Sequence, residues 1–128
     1  MAKLFLLAGS MFGGLSVAAG AFASHALKAQ LSERSQHIFE TGTKYQMYHA
    51  LALILVSLIS SHTEGGEGLL TLAGYAFIAG IVLFSGSLYG LSLFGIKWFG
   101  PITPLGGVAF LVGWGCIAIS ALRSTPMS

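Results

Sequence analysis

Along the chain, long apolar runs alternate with short polar breaks. Four runs approach the roughly 20 residues that a helix needs to cross a hydrocarbon core without an internal charge: Leu4 to Ala26, Tyr45 to Ser60, Leu69 to Phe94, and Pro104 to Leu122. The second is short, but its helix extends back through a polar stretch to Ser32. That residue suits an N-cap, and Glu33 behind it suits the first turn. The early turns of this helix are then expected at the membrane interface.

The breaks carry turn chemistry. Thr63-Glu64-Gly65-Gly66-Glu67-Gly68 is polar, glycine-rich and short enough for a tight hairpin. Gly95 is expected to end the third helix, with Thr103 capping the fourth and Pro104 as its first helical residue. Short connections make consecutive spans antiparallel neighbours. The expected fold is an all-α integral membrane four-helix bundle, one transmembrane domain over residues 1–128. Lys3, the apolar stretch behind it and Ala21-Phe22-Ala23 also fit a cleavable leader, but the run exceeds a usual signal core and a retained helix is expected.

Composition explains why these runs belong in lipid. Of 128 residues, 55% are hydrophobic and 8% charged, against roughly 25% charged in soluble domains; mean hydropathy is +0.82. A net charge of +2 comes from six Lys and Arg against four acids spread along the chain. No cationic cluster is available to follow a phosphate backbone, so nucleic acid is excluded as a partner. Cys116 is the only cysteine, which rules out an intrachain disulfide. Lys28, Arg34, Lys44 and Lys97 fall in the first and third connections, Lys3 and Arg123 on the opposite side. Four against two favours those connections in the cytoplasm and both termini outside. The expected location is a multi-pass position in the membrane, the inner membrane if the source is bacterial.

Helices in lipid associate by close packing and interhelical hydrogen bonds, and small residues permit the approach. The candidates for packing are Gly9, Gly13, Gly20, Gly86, Gly90, Ala109 and Gly113. Against the apolar background, the polar side chains His25, Glu40, Lys44, Tyr45, Gln46, Tyr48, His49, Ser85, Ser87, Tyr89 and Thr103 are the candidates for a functional cluster. His49 and its tyrosines read as structural hydrogen-bonding and interface-anchoring groups, or alternatively as a proton or solute track. His37 and His49 lie twelve residues apart, about 18 Å along one helix, which argues against a shared metal. No HExxH, paired cysteines or glycine loop before a lysine is present. No catalytic residue, metal or cofactor is expected.

Four pieces of the chain also match a family pattern. They are Gly20-Ala21-Phe22-Ala23-Ser24-His25-Ala26-Leu27, Phe39-Glu40-Thr41-Gly42-Thr43-Lys44-Tyr45-Gln46-Met47-Tyr48-His49-Ala50-Leu51-Ala52, Leu83-Phe84-Ser85-Gly86-Ser87-Leu88-Tyr89, and Ile102-Thr103-Pro104-Leu105-Gly106-Gly107 with Gly113-Trp114. In these pieces the chain resembles the domain of unknown function 423 family, small membrane proteins related to animal transmembrane protein 256. The first piece usually reads GAFGAHAL there, so Ala23-Ser24 is a small-for-small departure. The resemblance implies a four-span bundle and no established activity. It places His25, Tyr45, Gln46, Tyr48, His49, Ser85, Ser87, Tyr89 and Thr103 at motif positions and leaves His37 and His62 outside them. The function expected is that of a small polytopic membrane protein of unknown activity, a structural or accessory subunit in a homo-oligomer or larger membrane complex. A small proton or solute transporter is the alternative, and an intramembrane enzyme on lipid or quinone carries least support.

Overall fold

Sequence periodicity becomes four long helical rods in the computed structural model, which describes residues 1–126. Helix α1 (Ala2–Phe22) runs on into a π-helical turn at Ala23–Leu27. Helix α2 (Glu33–His62) follows, and helix α3 (Glu67–Gly80) continues through a second π-helical turn, Ile81–Ser85, into α4 (Gly86–Phe94). A 3₁₀ turn at Lys97–Ile102 leads to α5 (Thr103–Arg123). The protein is an all-α membrane bundle.

The ends of the rods follow from local chemistry. Ser32 caps α2, its hydroxyl accepting from Ser35 N–H at 3.1 Å. Gln36 Nε2 donates to the carbonyls of Lys28 and Leu31 at 2.8 and 2.9 Å, satisfying groups left over where the first helix stops. The hairpin turns on Gly65 and Gly66, both at positive φ, and Gly95 ends α4 in the left-handed region at φ 64°. Strand β1 (Thr63–Glu64) of the hairpin pairs antiparallel with β2 (Thr125–Pro126), which ties the C-terminal end to the same face of the bundle. Thr103 differs from expectation: it does not cap α5, because the 3₁₀ turn leads straight into that helix and the threonine hydroxyl is engaged elsewhere.

Among the described residues three stretches are long and apolar enough to cross a membrane: Ala2–Leu27, Glu67–Phe94 and Lys97–Arg123. Helix α2 has the length, 30 residues, but falls short in hydropathy because its first turns carry Glu33, Arg34, His37, Glu40 and Lys44 and its apolar part is interrupted by Gln46, His49 and Ser57. Gln46, His49 and Ser57 are buried. The face it leaves exposed is Tyr45, Tyr48, Leu51, Leu55 and Leu58, spaced three and four apart as one stripe. From Tyr45 onward the helix thus sets buried polar groups against an apolar outer stripe, which suits lipid as solvent, while the exposed Glu33, Arg34, His37, Glu40 and Lys44 lie in its first turns.

The core joins α1, α2, α3 and α5. Phe5, Leu53, Val56, Leu70 and Phe77 are its fully buried anchors.

Candidate functional site

The buried polar side chains are held at separate places, and all but Ser120 are closed by a partner in the bundle. His49 on α2 is 4% exposed. Its Nδ1 lies 2.7 Å from the Tyr45 carbonyl, which can only accept, so Nδ1 carries the proton. Its Nε2 accepts from Trp114 Nε1–H on α5 at 3.1 Å. The ring stacks on Phe110 with centroids 3.5 Å apart and planes 7° from parallel. Both nitrogens are therefore occupied, and in this arrangement the imidazole is neutral.

One helical turn away, Gln46 bridges two helices. Its Nε2 donates to the Phe12 carbonyl of α1 at 2.8 Å, and its Oε1 accepts from Tyr89 O–H of α4 at 2.6 Å. Because Phe12 offers an acceptor and Tyr89 a donor, the amide has one orientation that satisfies both. Tyr89 packs on Phe39 with centroids 5.0 Å apart.

The hydroxyls follow one rule: most reach a backbone carbonyl. Ser85 Oγ donates to Gly42 O at 2.7 Å. Ser16 reaches Thr43 O, and Ser57 reaches Ala2 O, each at 2.7 Å and each joining α1 to α2. Ser87 donates to Phe84 O at 2.9 Å and so accepts from Thr103 Oγ1–H at 2.6 Å, linking α4 to α5. Such carbonyls already sit in helical ladders, so these bonds add a second partner to an acceptor with two lone pairs. Ser120 Oγ is the one buried side-chain oxygen or nitrogen without a partner among the described residues.

The expected cluster thus divides. Gln46 meets Tyr89, Ser87 meets Thr103, Ser85 meets α2, and His49 meets Tyr45. His25, Glu40, Lys44 and Tyr48 are exposed instead. His25 lies in the π-helical turn that ends the first helix, and Glu40, Lys44 and Tyr48 lie on the outer face of α2.

The packing candidates divide too. Gly9 lies against Ala50 and Ile54 of α2, and Gly13 faces Ala50. Gly90 receives Phe99, and Gly113 receives Phe77. A Cβ on Gly20 or Gly86 would meet nothing within 4 Å, so neither position requires glycine for a close helix approach; Gly86 is exposed, and Gly20 and Ala109 are half-buried. Four further contacts escaped the sequence reading: Gly74 under Phe5, Gly42 under Tyr89, Gly80 under Phe110, and Gly106 against the backbone of Phe84. The repeated Phe-x-x-Gly of Phe77–Gly80 and Phe110–Gly113 marks one of these, Gly80, together with the candidate Gly113. Trp114, the partner of His49, belongs to the Gly113-Trp114 motif and stands outside the polar candidates of the sequence.

Two grooves flank these contacts. One, about 450 Å³, runs between α1 and α4 over Gln46 and Tyr89. The other, about 390 Å³, is aromatic, with Tyr45, Tyr48, Phe110 and Trp114 around His49.

Most of these residues fall within a stretch that known proteins share. A family described as "Protein of unknown function (DUF423)" matches residues 19–107. The chain belongs to this family. UPF0382 membrane protein YwdK of Bacillus subtilis (strain 168) is 43% identical over 121 residues, covering 94% of this chain and 98% of that protein. UPF0382 membrane protein SERP0230 of Staphylococcus epidermidis is 41% identical, covering 94% and 97%. No solved structure matches. The DUF423 match takes in every polar candidate from His25 to Thr103, while Gly9, Gly13, Ala109, Gly113 and Trp114 lie outside it. As a DUF423 member with apolar outer faces, this is a membrane protein whose surroundings are a lipid bilayer.

Proposed function

We propose that this DUF423 protein is a structural or accessory membrane subunit, not an enzyme, that works in a homo-oligomer or a larger membrane complex. The observation that carries this reading is the commitment of its buried polar groups: His49 uses both nitrogens and Gln46 both ends of its amide, on partners inside the bundle. A proton carrier needs a ring nitrogen that can exchange, and a general base needs a free lone pair facing a substrate. Bonds to carbonyls instead fix how helices sit against each other. On this reading the chain takes a multi-pass position in the membrane, the inner membrane if the source is bacterial, with its termini and the hairpin outside.

The test is purification in mild detergent with crosslinking in membranes beforehand. A homo-oligomer or a stoichiometric co-purifying partner supports the proposal. A monodisperse monomer that crosslinks to nothing in any lipid sinks it.

A second reading, passage of protons or a small solute, draws on the groove between α1 and α4, whose lining includes Gln46 and Tyr89. Proton flux in liposomes that His49→Ala or Tyr89→Phe abolishes would favour this alternative.

A further inference from the structure

We propose that the notch between the start of α2 and the end of α4 binds the headgroup of an anionic phospholipid. The notch, about 390 Å³, brings together residues more than sixty positions apart in sequence: Arg34 and Ser35 from the first turn of α2, Lys97 from the 3₁₀ turn, and Gly95. Ile38 and Leu91 supply aliphatic wall. Both cations are exposed. Glu33 adjoins Arg34 in sequence, yet no carboxylate lies within ion-pair distance of Arg34 or Lys97 among the described residues.

Depth and charge select the occupant. Phe94 and Trp98 flank the notch in sequence and are 75% and 68% exposed, as aromatic side chains are at the level of lipid headgroups. A soluble anion would need the cations but not the aliphatic wall. A phospholipid uses both: its phosphate meets Arg34 and Lys97, Ser35 offers a hydroxyl, and the glycerol and first methylenes lie along Ile38 and Leu91. Basic pockets between helices on the cytoplasmic side suit this chemistry, and the first and third connections are the cationic end of this chain.

The test is native mass spectrometry of the detergent-solubilised full chain, titrated with phosphatidylglycerol or phosphatidylcholine. Phosphatidylglycerol is expected to bind in preference. Arg34→Gln and Lys97→Gln are each expected to weaken it roughly fivefold and the double variant roughly 30-fold, from the attraction per basic residue at a lipid surface. Phosphatidylcholine retention stays unchanged. Lys28→Gln removes a cation at the same end but outside the notch, so it should change phosphatidylglycerol affinity less than twofold. The proposal is overturned if Lys28→Gln weakens binding as much as either notch variant, or if the two lipids bind alike. Displacement of the lipid by millimolar inorganic phosphate also overturns it, because the notch would then hold a soluble anion. Elution volume checks folding, and should the double variant aggregate, the single variants carry the comparison.

Discussion

Trp114 donates its indole N–H to Nε2 of His49 across 3.1 Å, joining α5 to α2 through a ring that α2 itself has oriented. Two consequences can be measured. Nitrogen NMR of the labelled imidazole should find the proton on Nδ1; a proton resident on Nε2 contradicts the contact. Trp114→Phe keeps an aromatic ring but removes the donor. Helix-to-helix hydrogen bonds in membranes average about 0.6 kcal/mol with a maximum near 1.7, so a loss in that range is expected in unfolding from mild detergent.

Gln46 and Tyr89 allow a cleaner measurement, since both atoms of the contact are side-chain atoms, 2.6 Å apart. Tyr89→Phe strands Gln46 Oε1, while Gln46→Leu strands the phenol and the Phe12 carbonyl contact together. Each single variant should lower stability by about 1–3 kcal/mol, the range for a buried polar group deprived of its partner. The double variant should lose clearly less than the sum. Strict additivity in the double-mutant cycle would mean that the two side chains do not act as a pair.

The four apolar runs were legible because lipid imposes length and composition on any spanning helix. The polar candidates were legible as types, since a histidine or glutamine in such a run stands out. Their partners were not, because most are backbone carbonyls: nothing in the letters for Gly42, Phe12 or Tyr45 marks them as acceptors, nor in Thr43 and Ala2, which hold Ser16 and Ser57. The two π-helical turns were hidden for a related reason. Each admits one extra residue into a turn and changes which side chains face inward beyond it, and neither Ala23–Leu27 nor Ile81–Ser85 contains a proline to announce it.

Phe77 and Phe110 make a reciprocal lock. Helices α3 and α5 run antiparallel, and each carries phenylalanine three residues before glycine, so Phe77 seats on Gly113 while Phe110 seats on Gly80. A Cβ at either glycine would overlap the opposing ring. Gly80→Leu or Gly113→Leu is therefore expected to cost about 1–3 kcal/mol through overpacking. Adding Phe110→Ala to Gly80→Leu should recover part of that loss, whereas adding it to Gly113→Leu should not. Thermal unfolding in detergent reads both pairs, and equal behaviour of the two would dissolve the lock.

Topology can be checked with the chain's own cysteine as a quiet background, because Cys116 is buried. Cysteines introduced at Ala29 and Trp98 lie at the cationic end, and one at Glu64 lies in the hairpin at the other. In intact cells a membrane-impermeant maleimide should label Glu64→Cys and leave Ala29→Cys and Trp98→Cys unlabelled until the membrane is opened. The reverse pattern would invert the orientation drawn from Lys28, Arg34, Lys44 and Lys97.

Gly106 and Gly107 are neighbours with opposite demands. A Cβ on Gly106 would meet the backbone of Phe84, with Cα at 2.7 Å, and a helix backbone cannot swing aside as a side chain can. A Cβ on Gly107 meets nothing within 4 Å. Gly106→Ala should then force α5 away from the π-helical turn at Ile81–Ser85 and weaken the Ser87–Thr103 contact beside it, with a loss at or above the usual overpacking range of about 1–3 kcal/mol. Gly107→Ala should be neutral or slightly stabilising, since alanine favours a helix over glycine by about 1 kcal/mol. Comparing the melting temperatures of these two variants isolates the helix approach from helix propensity, because both changes add the same methyl to the same helix. Similar melting temperatures would mean that α5 does not sit against Phe84 as described.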